Sequence, residues 1–276
     1  MTQNLLQHLF YLNQTRSDES ATLRPLAPLG LKPSQTAMAK RPPRGKCVHC
    51  LADNVDRTWD HVFPRSWYPD TTPPNLHKWQ IPSCQPCNRD YGRIEEDLLF
   101  RLALCVDPHA PATAGIVQKA LRSMKPEFAK DERDRAARAA RLALLRNELF
   151  DGPEIPRSAV YPGLGERWGR PATQGLGVRV PAESLRRLTK KIVRGIFFLE
   201  DNAFIEANYL INFYALAEES AEPIKQLLDQ FGKEYAREPG IVVRRAVAED
   251  LPMGALFEID IWGQFKMYAS VGPFES

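Results

Sequence analysis

The chain has 276 residues, 43% of them hydrophobic, enough to bury one large core or two smaller ones. Its formal charge is only +3, so composition permits nucleic-acid binding without requiring it, and the distribution of charge has to decide. Apolar runs such as IVRGIFFL fall far short of the ~20 residues that span a bilayer, so no membrane partner is expected. The first twenty residues lack the basic start and long apolar run of a secretory signal, which makes the cytoplasm the expected compartment. There, paired cysteines hold metal more often than they form disulfides.

Residues 2–12 read as a short helix with Leu5, Leu6, Leu9 and Phe10 on one side. The text then turns polar and proline-studded, so residues 1–43 are expected to form an N-terminal arm. A cysteine-rich module begins at 44. Its last part, NRDYGRIEEDLLFRLAL, predicts a helix, because Ile94, Leu98 and Leu102 recur every four residues. DERDRAARAARLALLRNELF is a strong helix former, with Asp131, Glu132 and Asp134 at the end where the helix dipole favours them. The module with this helical extension is set at 44–150. Residues 151–182 are dense in Gly and Pro and read as a linker.

The remainder, 183–276, reads as an α+β domain. A helix over 184–199 starts at Ser184, a fair N-cap. Residues 208–214 fit a strand or a helix. A helix over 221–236 buries Ile224, Leu227, Leu228, Phe231 and Tyr235. Strands follow at 241–247, 255–262 and 265–271; Phe257, Ile259 and Ile261 alternate with Glu258 and Asp260, as in a half-buried strand. Gly263-Gln264 suits the tight turn between the last two. The fold class is therefore α+β: a metal-stapled module, a helical connector and a C-terminal α+β unit with a small antiparallel sheet.

Cys47, Cys50, Cys84 and Cys87 form two C-x-x-C pairs. Two intervening residues let both sulfurs of a pair reach one ion, and four thiolates make a closed, structural zinc site. Pro86 falls where a helix tolerates it, in the first turn. The cysteines do not explain Asp60 and His61, side by side inside the loop they close. Metal-assisted phosphodiester cleavage needs a hard cation on oxygen ligands and a base that titrates near neutrality. Asp60 supplies a carboxylate, His61 an imidazole and Asn88 an amide oxygen beside a zinc cysteine.

Cys47 and Cys50, Asp60-His61-Val62 with Pro64, Asn75-Leu76, then Cys84, Cys87 and Asn88 together resemble the HNH endonuclease family. The match covers about 45–100. The resemblance implies a zinc-stapled ββα-metal nuclease module. His61 would be the general base, Asp60 and Asn88 the ligands of a catalytic Mg²⁺ (or Mn²⁺), and Asn75 the side chain that pins the loop and aims His61. It also implies DNA as substrate and a role in restriction or anti-phage defence. The sequence departs from the family where Asn88 replaces a common histidine, where RSWYPDTTPP replaces a Gly-rich stretch and where RDYG replaces Lys-Gly. Arg65 and Arg89 are the candidate phosphate contacts there.

On helix 184–199, Arg186, Arg187, Lys190, Lys191 and Arg194 cover one face and Leu185, Leu188, Ile192, Ile196 and Leu199 the other. The basic face reads as a clamp on a nucleic-acid backbone or as a solvated surface. The C-terminal unit carries no catalytic motif; substrate recognition, homo-oligomerisation and binding of a protein partner stay open. Two further alternatives stay open: a non-catalytic zinc-stabilised binding module, and a nuclease kept inactive until something engages the C-terminal unit.

Overall fold

A computed structural model describes residues 40–151, 176–216, 218–237, 240–248, 251 and 253–274. The expected N-terminal helix, nearly all of the arm and most of the expected linker lie outside these residues. Strands β1 (Arg57–His61) and β2 (Gln80–Cys84) form an antiparallel ladder that runs straight into helix α1 (Gln85–Ala103). Helices α2 (Ile116–Met124) and α3 (Glu132–Asn147) follow, then strands β3 (Leu149–Asp151) and β4 (Leu176–Val178), paired with each other. Helix α4 (Ala182–Asp201), strand β5 (Tyr209–Tyr214), helix α5 (Glu218–Phe231) and strands β6 (Lys233–Arg237), β7 (Ile241–Val247), β8 (Ala255–Ile261) and β9 (Phe265–Pro273) complete the chain. The last five strands make one antiparallel sheet in the order β5-β9-β8-β7-β6.

Local rules explain the boundaries. Cys84 ends β2 and precedes α1, with proline in the first turn of the helix, as read from the sequence. Asp131 caps α3 by accepting from the Asp134 backbone N–H at 2.7 Å. The helix placed at 184–199 starts two residues earlier, so Ser184 lies inside it and Pro181 precedes it. The helix expected to reach 236 stops at Phe231. At Gly232 a Cβ would sit 2.2 Å from the Leu228 carbonyl oxygen, and the backbone beyond turns to pair with β7, which carries Tyr235 into a strand. The turn expected at Gly263-Gln264 is a three-residue loop, 262–264, with Trp262 and Gly263 at φ 56° and 66°. Left-handed backbone is strained for tryptophan. Burial of its ring and an N–H bond to the Trp67 carbonyl at 2.8 Å hold it there.

The sheet is covered on both faces. Ala246 and Tyr268 meet Ala221, Ile224 and Leu228 of α5 on one side. On the other, Phe257, Ile259, Met267 and Ala269 join Leu188, Ile192 and Ile196 of α4 in a core that continues without a break through Val62, Ile81, Leu98 and Leu102. The cysteine module and the C-terminal unit thus share one hydrophobic core across the stretch read as a linker. The rings of Trp67 and Trp262 meet across the junction at 5.3 Å.

Close approach at that junction depends on Gly195. A Cβ there would lie 2.8 Å from Cγ2 of the fully buried Val62. Gly195→Val is expected to cost about 1–3 kcal/mol by overpacking, and Val62→Ala in the same chain should recover part of it. Urea denaturation of the two single variants and the double variant measures both effects.

Candidate active site and metal centre

The first cysteine knuckle closes through a Gly45–Val55 bridge and a Cys47 N–H bond to the Ala52 carbonyl at 2.9 Å. Leu51 takes φ 64° to complete the turn. The second pair straddles the β2–α1 junction. All four Sγ atoms lie within 4.8 Å of one another. A tetrahedral zinc thiolate with ~2.3 Å bonds has S···S edges of about 3.8 Å, and Cys50 and Cys84 stand 3.8 Å apart. The set fits a metal ion such as zinc. The Cys47 thiol is shifted downward, first by a hydrogen bond from Cys87 and then, against the opposing effect of burial, by the Cys84 backbone N–H. Cys87, facing that sulfur, is shifted upward.

Asp60 and His61 point to opposite faces of β1, as neighbours in a strand must. Asp60 faces inward and is 4% exposed. Its Oδ2 lies 2.9 Å from His49 Nε2, and its Oδ1 accepts from Lys191 Nζ at 2.9 Å. Burial raises the Asp60 pKa, but the His49 hydrogen bond and the Lys191 charge outweigh it, so the carboxyl ionises below its usual range. Lys191 is wholly buried and also donates to Glu95 of α1. Burial, opposed by Lys191, pushes Glu95 up to about 7. The Tyr91 ring packs on His49 at 4.5 Å between centroids and under the Lys191 ammonium at 5.7 Å.

His61 is partly exposed, and its Nε2 contacts Gln80 at 3.0 Å across the ladder. Burial and then the Arg65 charge lower its pKa to about 4, with Lys191 and Lys78 adding to the shift. The ring is therefore neutral at physiological pH. Asn88 sits in the first turn of α1. Its amide nitrogen donates to Thr58 Oγ1 at 2.9 Å and to the Trp59 carbonyl at 3.3 Å, and among the described residues its oxygen has no donor. Asn75 is exposed in the turn 73–76 and makes no hydrogen bond to the His61 loop among the described residues, so the pinning role expected for it is not seen. Arg65 and Arg89 are exposed, as phosphate contacts need to be.

On the basic face of α4 the structure corrects one residue, Lys191. Arg187, Lys191 and Arg194, at i, i+4 and i+7, form a stripe that faces the cysteine module rather than solvent. Arg187 pairs with Asp90, Lys191 with Asp60 and Glu95, and Arg194 donates to the His49 carbonyl. Lys191 cannot touch a phosphate, since none of it is exposed. Arg186 pairs within its own helix with Glu183, and Lys190 is only partly exposed. The residues expected to hold Mg²⁺ do not form a cation site in this arrangement. Both Asp60 oxygens are engaged, and Asp60 and Asn88 share no hydrogen-bond partner. The sequence reading missed Tyr91 and Glu95, and weighed His49 only as a spare ligand beside the four cysteines. Glu95 lies seven residues after Asn88, two turns along the same helix face, and that spacing was the available signal.

No known protein family matches the chain, and neither do curated proteins or solved structures.

Two measurements follow from this geometry. The purified chain is expected to carry about one zinc, lost in Cys84→Ser together with thermal stability and retained in His61→Ala. His61 should stay neutral down to about pH 4 by NMR titration, against about 6.5 for an unfolded histidine. Between those values the unfolded chain binds more protons, so stability falls as pH drops through the window. His61→Gln should flatten that part of the stability–pH curve.

Proposed function

We propose that the chain is an HNH-type endonuclease that hydrolyses phosphodiester bonds in nucleic acid, with DNA as the expected substrate and His61 as the general base. The observation that carries this reading is the setting of His61. It stands at the end of β1, partly exposed and neutral, with the Arg65 charge acting on it. The Gln80 amide nitrogen donates to Nε2, which puts the ring proton on Nδ1, so Nε2 is the nitrogen that takes a proton from water once water replaces the Gln80 donor. Exposed Arg65 and Arg89 would hold the phosphate by charge-assisted hydrogen bonds, positioning the strand without reading its bases. The strand–strand–helix order and the four-cysteine clasp support the same reading, as does the resemblance over residues 45–100.

A divalent cation on Asp60 and Asn88 belongs to the chemistry the resemblance implies, but Asp60 as placed offers it no free oxygen, so no step is routed through it. That engagement favours a second reading, a zinc-stabilised module that binds nucleic acid or protein without cutting. A supercoiled plasmid with Mg²⁺ separates the two. Wild type should nick it, and His61→Ala should be slower by about 100-fold or more. Equal nicking by both proteins removes the enzyme reading.

A further inference from the structure

We infer that the Lys191 ammonium holds the place of a divalent cation at Asp60, so that lysine and metal exclude each other there. The inference rests on reading Asp60 as a cation ligand, and adds what controls access to it. The ammonium lies between two carboxylates, 2.9 Å from Asp60 Oδ1 and bonded to Glu95. The buried Asp60 carboxylate and the half-buried Glu95 carboxyl are oxygen donors of the kind a hard divalent ion prefers, at about 2.1 Å for Mg²⁺. An ion bridging Asp60 Oδ1 and Glu95 would take the position that the ammonium takes between the same two side chains. Only one of the two charges fits.

The lysine is held from both sides. Arg187, one turn before it, is tied to Asp90, and Arg194, one turn after, to the His49 carbonyl. Gly195 keeps α4 in contact with Val62. Asp60 and the helix that closes it lie 131 residues apart in sequence, so a metal reaches Asp60 only if α4 releases Lys191. Glu95, which no sequence motif marked, is the second ligand such an ion would meet.

The test is Mn²⁺ binding, read by the loss of the free-ion EPR signal, on the full-length zinc-loaded chain. Lys191→Met should bind Mn²⁺ at least about tenfold more tightly than wild type. Asp60→Asn added to that variant should abolish the gain, which places the ion at Asp60. Lys191→Arg keeps the charge and should show no gain. Should Lys191→Met fail to fold, Arg187→Ala loosens the helix that holds the lysine and leaves both acidic side chains in place, and a gain of about threefold is expected. Equal Mn²⁺ affinity in wild type and the folded variants, or a gain that survives Asp60→Asn, overturns the inference. Plasmid nicking that still depends on His61 in that case would leave the nuclease reading standing, so the two failures are told apart.

Discussion

The buried contact between Asp60 and Lys191 is the constraint on which the arrangement of this molecule turns. A carboxylate and an ammonium out of water each carry a desolvation cost of several kcal/mol unless they meet in good geometry and their remaining sites are filled. Here the remaining carboxylate oxygen meets His49 and the ammonium reaches Glu95. That requirement fixes how α4 lies on the cysteine module. It also orients the helix about its axis, so that one stripe of cations meets the acids of α1 and β1 while the opposite apolar face meets the five-stranded sheet.

The cysteine clasp makes this possible by setting the β2–α1 junction. With both ends of the intervening loop held at one point, β1 lies beside the start of α1, and Asn88 bonds to its backbone. Strand alternation then gives two adjacent residues opposite environments. Asp60 faces a closed, charged interior and stays ionised; His61 faces the partly open side, near Arg65 and Lys78, and stays neutral. One dipeptide thus supplies a structural anchor inside and a candidate base outside.

Much of this was legible in the residues. Spacing alone gave the four-cysteine cluster, because a C-x-x-C pair allows few geometries. The strands at 241–247, 255–262 and 265–271 were readable from period-two burial, and α3 from its acidic start and Ala-rich body. The end of α5 was not, since Tyr235 fits the helical stripe of 224–231 and only pairing with Val243 draws it into β6. The basic stripe of α4 misled for a related reason. Periodicity separates the two faces of a helix but does not say what lies against the polar one, and the acids that cover it come from α1 and β1, far away in sequence. The small residue Gly195 beside that stripe was the local sign that this flank is packed.

A double-mutant cycle on folding stability tests the central contact most directly. Asp60→Asn, Lys191→Met and the combined variant, compared with wild type by urea denaturation, should show a coupling of at least about 2 kcal/mol, because each single change strands a buried charge that the double change removes. A coupling near zero would mean that the two side chains are independently solvated, and the account of how α4 is held against the metal module would fail.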